Sequence, residues 1–288
     1  MSSEAPRNYE DLIRVIHERY VDMSKSYQRI ALYLTQNPND AAVMSVNAIG
    51  EIAGAHASGF VRFAQSLGYS GFKELQLVFQ KRLATAAPGF EARVKALEEE
   101  LGSRGDEGQR TFLHDLVLRD IASLQHLLAN TPADAITRGA ELLDTAETIY
   151  LIGQLRSAPI VDLLRYVLTM LGKRTVLLDA SGGLATHMAK VITEKDLLLA
   201  VSFRFYANEV VNIVEEVAAR AVPIVAISDS TLSPLAKNAT LLFAVPEHEY
   251  TFSRSLAAPM CLAQALTVAL AARLQNADKP RIPTVTQP

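Results

Sequence analysis

Residues 45–72 read SVNAIGEIAGAHASGFVRFAQSLGYSGF, and the spacing of their apolar side chains decides the first half of the fold. Ser45 is placed to cap a helix that carries Val46, Ile49, Ile52 and Ala53 inward and ends at Gly54. Gly54-Ala55-His56 breaks the pattern. A second helix from Ala57 to Leu67 then sets Phe60, Phe63, Ala64 and Leu67 on one face, at i, i+3, i+4 and i+7. Gly68 stops it, Ser70-Gly71 turns the chain, and Phe72, Leu75 and Phe79 line a further helix. Two short helices about a tight, glycine-containing turn suit major-groove reading, because one helix end must project while its partner braces it. In this register Ser58, Gly59, Arg62, Gln65 and Ser66 point away from the apolar face. Arginine and glutamine can donate to base edges or phosphates, and the helix start from His56 to Ser58 offers free amides to a phosphate. Lys73 adds a cation just beyond. An ordinary helical bundle with a polar surface shows the same spacing.

Upstream, Leu12, Ile13, Ile16 and Tyr20 form one stripe, and Ser24 opens a helix with Ile30, Ala31 and Leu34 inward, stopped at Asn37-Pro38. The N-terminal domain is therefore expected to be all helix and to span residues 1–84. A linker is expected over 85–110, with Pro88-Gly89 as a hinge, an acidic helix over 91–101 and a loop over 102–108. A long amphipathic helix over 112–128, with Leu116, Val117, Ile121, Leu124 and Leu128 on one side, and another over 132–145 open the second domain, 111–276. From Thr148 short apolar runs at 149–152, 176–178, 197–201, 224–227 and 241–245 alternate with helical stretches. Continuous apolar strands separated by helices predict a five-stranded parallel sheet flanked by helices, an α/β domain. A strongly apolar helix over 255–274 and a proline-rich tail over 277–288 complete the chain.

The bulk numbers agree with two domains: 288 residues, 49% of them hydrophobic. A net charge of -3 argues against a generally basic nucleic-acid-coating protein. The 45–85 segment alone carries Arg62, Lys73, Lys81 and Arg82 against Glu51 and Glu74. No apolar run approaches the ~18 residues of a membrane span, and residues 1–10 lack the features of a signal peptide, so the cytoplasm is the expected compartment. The lone Cys261 is expected as a small core residue.

Ligands of open parallel sheets sit beyond the carboxyl ends of the strands. The first strand leads into Gly153-Gln154-Leu155-Arg156-Ser157, the second into Ser181-Gly182-Gly183, and the third into Ser202-Phe203-Arg204-Phe205-Tyr206, with Asn208-Glu209 opening the next helix. Gly153 permits a sharp turn, and Ser157 can cap a helix or donate to a ligand. Arg156 and Arg204 on neighbouring strand ends, with the serine hydroxyls, suit an anion or a hydroxylated ligand. The candidate ligand-binding residues are Gly153, Arg156, Ser157, Ser181, Ser202, Arg204 and Asn208. No metal-ligand spacing links the histidines His17, His56, His114, His126, His187 and His248 with each other or with Cys261, and there is no Walker A motif or nucleophile elbow. No metal or cofactor is expected. His187, His248, Glu209 and Glu247 are acid–base candidates of little specificity.

The segment from Ser45 through Phe72, above all V-R-F-A-x-x-L-G-Y-x-G-F at 61–72, resembles the DNA-binding domain of RpiR-type regulators. The family often has Val-Ser at the turn and Thr or Ser within the recognition helix, where this chain has Ala55, His56 and Gly59. The α/β half resembles the sugar isomerase (SIS) domain. Gly153 and Ser157 match its first loop and Ser202 the first serine of its second. Leu155 replaces the first loop's other glycine, and 203–206 (FRFY) replace small phosphate-cradling residues. The resemblance implies a DNA-binding regulator of carbohydrate metabolism, not an enzyme, whose second domain binds a sugar phosphate or related carbohydrate derivative. Its implied partners are double-stranded operator DNA and further copies of itself, as a homodimer or homotetramer, with no membrane. A sugar-phosphate isomerase with a helical accessory domain and a binding module without DNA affinity are the alternatives.

Overall fold

The structure, a computed structural model, describes residues 5–86, 108–179, 181–204, 206–245 and 255–277. The chain forms two compact units, Met1–Glu100 and Leu101–Pro288. Pro88-Gly89, the expected acidic helix at 91–101, His248, Glu247, Phe205 and the tail beyond 277 lie outside the described residues.

Among the described residues of the first unit six helices follow one another: α1 (Tyr9–Arg19), α2 (Lys25–Gln36), α3 (Pro38–Val43), α4 (Val46–Ala53), α5 (Ala57–Ser66) and α6 (Phe72–Ala86). Ser24 and Ser45 cap α2 and α4 by accepting from the amides of Tyr27 and Ala48. Pro38 begins α3, where its missing N–H costs nothing. Gln76 of α6 donates to the carbonyls of Ala41 and Met44, and Gln80 to that of Ala42, satisfying groups at the open end of α3. Leu12, Ile16, Ile30, Leu34, Ile49, Phe60, Phe63, Leu75 and Phe79 are fully buried. Tyr27 meets Phe63, and Phe60 meets Phe72, edge to face at 5.5 and 5.7 Å.

The packing of this unit corrects the expectations for Ile52 and Arg82. Ile52 is exposed, because the inner face of α4 centres on Ile49, Gly50 and Ala53 and Ile52 falls to one side. Arg82 does not belong to a surface cation set. It is buried over the Tyr9 ring at 4.8 Å and donates to Asn39 at 2.9 Å.

The second unit opens with α7 (Gly108–Asn130) and α8 (Ala135–Thr145). There follow β1 (Ile149–Ile152), α9 (Ala158–Met170), β2 (Thr175–Leu177), α10 (Ala185–Ala189) and β3 (Leu197–Val201). The remaining elements are α11 (Asn208–Ala218), β4 (Ile224–Ser228), β5 (Leu241–Ala244) and α12 (Ala257–Ala277). The strands lie in the order β2-β1-β3-β4-β5, all parallel. Every residue of β3 and β4 is buried, as expected for a sheet covered on both faces. Leu197, Leu199 and Val201 join the core under α8, α9 and α12, while Leu198 and Ala200 join the one under α10 and α11. Gly139 lets α8 approach α12, since a Cβ there would lie 2.6 Å from Leu266.

Helix α12 is long and apolar enough to cross a membrane, which the sequence reading did not find in this chain. In this unit it places Ala258, Leu262, Ala263, Leu266 and Leu270 in the sheet core. Those positions recur every four or so residues, and Cys261 lies off that stripe. The cysteine is exposed, contrary to expectation. In α7 the helix is seated through buried Leu127 and half-buried Leu124, whereas Val117, Ile121 and Leu128 are exposed. Of the expected stripe, Leu124 meets the core of this unit, whereas Val117, Ile121 and Leu128 do not.

Candidate DNA-binding face and ligand-binding loops

The turn between α4 and α5 is set by one glycine conformation and two hydrogen bonds. Gly54 adopts the left-handed conformation at φ 62°, which favours glycine. The Ala55 amide donates to the Gly50 carbonyl at 2.9 Å, and a Cβ on Gly50 would stand 2.6 Å from the Ala55 carbonyl oxygen. Arg29 of α2 reaches across and donates to the Gly54 carbonyl at 2.9 Å. These features set where α5 begins relative to α4 and α2. His56 at its N-cap makes no side-chain cap bond, and His56, Ser58, Arg62 and Gln65 are exposed. Lys73 is exposed at the second position of α6.

Gly59 is a correction. It is buried, and a Cβ there would meet Ile30 Cδ1 of α2 at 3.3 Å, so it admits close packing of α2 on α5 and does not lie on the exposed side of the helix. Ser66 is exposed but on the flank toward α1: its hydroxyl donates to the Phe63 carbonyl and its own carbonyl accepts from Arg19. Because the Ile30 methyl is the movable tip of its side chain, Gly59→Ala is expected to keep DNA binding. It should also raise stability, by up to the ~1 kcal/mol that alanine gains over glycine in a helix. Thermal unfolding and fluorescence anisotropy check both.

In the second unit the strand order reverses direction between β1 and β3, and the loops leaving those two strands diverge there. Gly153 ends β1 where no side chain fits: a Cβ would lie 2.5 Å from Val161 of α9 and 3.1 Å from the Val201 carbonyl. Leu155, in place of a glycine, has φ 55° and is 80% exposed. Ser157 is buried at the start of α9, as the last residue of the 3-10 turn Leu155–Ser157, and does not make the expected cap bond. Ser202 is buried at the end of β3, where its carbonyl accepts from the Ser228 hydroxyl at 2.7 Å. The Arg156 guanidinium lies 4.9 Å from the centre of the Phe203 ring, with its terminal nitrogens buried. Arg204 pairs with Asp229 at 3.8 Å, and the Tyr206 hydroxyl donates to the same carboxylate at 2.9 Å.

The β1 and β3 loops thus bring Arg156, Ser157, Ser202 and Arg204 to adjoining strand ends. Asn208 is exposed at the first position of α11. Gly182 and Gly183 of the loop after β2 have φ 69° and 68°. Sequence reasoning missed Gln154, Ser228 and Asp229. The Gln154 amide donates to Glu209, joining the first loop to α11 and engaging one acid–base candidate. His187 is exposed on α10. Ser228-Asp229 follows the fourth apolar run, and that position was the signal available. Among the described residues no group of three or more His, Cys, Asp or Glu is placed to hold a metal ion.

Residues 10–86 match the helix-turn-helix domain of the rpiR family, and residues 142–269 match the SIS domain. The chain is an RpiR-type transcriptional regulator. Among its relatives is the Escherichia coli protein named Uncharacterized HTH-type transcriptional regulator YfhH, 27% identical over 87% of this chain and 86% of that one. HexR, an HTH-type transcriptional regulator of Pseudomonas aeruginosa, is 24% identical over 84% of this chain and 81% of its own. The sugar isomerase domain of an RpiR transcription factor from Sphaerobacter thermophilus has a TM-score of 0.54 at 26% identity, covering 56% of this chain and 90% of its own. Vibrio vulnificus NanR, solved in complex with ManNAc-6P, shares the fold over 92% of this chain and 93% of its own, with a TM-score of 0.53 at 19% identity. The RpiR-type resemblance of 61–72 and the α/β reading of the second half are both upheld.

Proposed function

We propose that this regulator reads operator DNA through the exposed side of α5 and releases or strengthens its grip when the β1 and β3 loops take up a carbohydrate derivative. The carrying observation is the projection of Ser58, Arg62 and Gln65 from a helix whose opposite side is buried and whose leading turn is clamped by Arg29. His56 and the start of α5 suit a phosphate, and Lys73 a second one. The naming of HexR and YfhH as transcriptional regulators supports the role, and the ManNAc-6P complex of NanR supports a carbohydrate-derived effector. The genes controlled would serve carbohydrate metabolism, and the protein would work in the cytoplasm. An isomerase is less well supported, because Glu209 is engaged by Gln154 and His187 sits exposed on α10.

Arg62→Ala is expected to weaken binding to the protein's own upstream DNA by about 1–3 kcal/mol if the guanidinium reads a base. Circular dichroism and melting temperature should be unchanged, since Arg62 is exposed. Anisotropy titrations at several salt concentrations measure this. Binding that is salt-insensitive in the parent, or unaltered in the variant, removes the assignment of α5.

Half-site reading needs two recognition helices, so the protein acts as a dimer or tetramer. Leu113, Val117, Leu118 and Ile121 of α7 are exposed apolar side chains suited to pairing copies. Replacing Val117 and Ile121 together with aspartate is expected to shift sedimentation toward the monomer and to weaken operator binding at low protein concentration. An unchanged sedimentation coefficient moves the interface elsewhere.

A further inference from the structure

We propose that the loops at the β1–β3 switch point take an uncharged carbohydrate, a free sugar or polyol, and discriminate against its phosphate ester. The inference rests on the reading of these loops as the effector site and names the class of effector.

Phosphate recognition draws on two resources, guanidinium groups and bare backbone amides. Here the first is already engaged within the fold. Arg204 is paired with Asp229, the two side chains being 13% and 5% exposed, and Tyr206 donates to the same carboxylate. Arg156 lies against the Phe203 ring with its terminal nitrogens buried. A phosphate drawn to Arg204 would have to displace Asp229, leaving that carboxylate buried without its cation. The second resource is screened. Leu155 holds a left-handed backbone with a full side chain where a glycine would bare the amides, and Phe203-Arg204 stand where the second loop would need small residues.

What remains suits hydroxyl groups. Asp229 neutralises Arg204, and a second carboxylate, Glu209, is held at the first loop by the Gln154 amide. Glu209 accepts from the Gln154 amide, Asp229 accepts from the Ser228 hydroxyl, which also bonds the Ser202 carbonyl, and Ser157 and Ser202 are buried at the adjoining strand ends. A sugar hydroxyl donates and accepts at once and can satisfy both kinds of group, whereas a phosphate dianion only accepts and is repelled by the carboxylates.

The test uses the full chain with glucose, ribose and glucitol and with their terminal monophosphates. Binding is followed by melting temperature and calorimetry, and operator DNA binding is measured on the same samples. At least one free compound is expected to raise the melting temperature and to bind about tenfold or more tightly than its ester. Asp229→Asn should bring the ester at least to parity by removing the repelling charge and freeing Arg204. If that variant does not fold, Leu155→Gly, at an exposed position, should shift the ratio in the same direction by baring amides. An ester that binds more tightly than its parent sugar, or no binding by any free compound, overturns the proposal. With operator binding intact, either result leaves the regulator reading standing. A protein that binds no DNA refutes that reading whichever ligand it takes.

Discussion

Gly50→Val is expected to cost the helix-turn-helix unit about 3 kcal/mol and to abolish operator binding at the working temperature. A Cβ at this position would stand 2.6 Å from the Ala55 carbonyl oxygen and 3.4 Å from the Ala57 amide nitrogen, both backbone atoms of the turn. Backbone cannot step aside as a side-chain tip can. The Ala55 amide also donates to the carbonyl of Gly50 itself, so pushing the turn away breaks the bond that holds it. The Arg29 clasp on Gly54 would then be lost as well. Two melting transitions, if the units unfold separately, or the first-unit amide signals in hydrogen exchange, would localise the loss. Wild-type stability in this variant would mean that α4 and α5 are not joined as described.

Gly153→Val is the corresponding change in the second unit. Its Cβ would lie 2.5 Å from Val161 Cγ2, 3.1 Å from the Val201 carbonyl and 3.3 Å from the Ser157 Cβ. The first contact could relax by a rotamer change, but Val201 is a strand carbonyl and Ser157 is held at the start of α9. A loss of about 2–3 kcal/mol is expected, with effector binding lost even where the unit stays folded, because the first loop must lift away from β3. Calorimetric titration beside urea unfolding separates the two effects. An unaltered affinity would place the effector away from this loop.

Much of this was legible in the sequence because period and punctuation carry it. Phe60, Phe63, Ala64 and Leu67 mark the buried side of α5, and all are buried. The five strands follow from apolar runs with only small shifts at their ends, such as β2 at Thr175–Leu177. What was missed depends on partners remote in sequence. Gly59 has no side chain to announce its side of the helix, and only Ile30 of α2 decides it. Arg82 counts as a surface cation until Tyr9 and Asn39 are seen around it. The stripe on α7 and the position of Cys261 show that an apolar helix has several plausible inward faces, and tertiary packing chooses among them. In the loops proposed for the effector the serines and arginines were visible, but Asp229 joins them only because β4 lies beside β3.

The exposed Cys261 has a practical use. It is the chain's one thiol, carried on the outward side of α12, so a maleimide dye or spin label attaches at a single address with no background to engineer away. A reporter mounted there watches the sheet unit alone, and with a second dye on the duplex it follows ligand uptake and DNA occupancy in one cuvette.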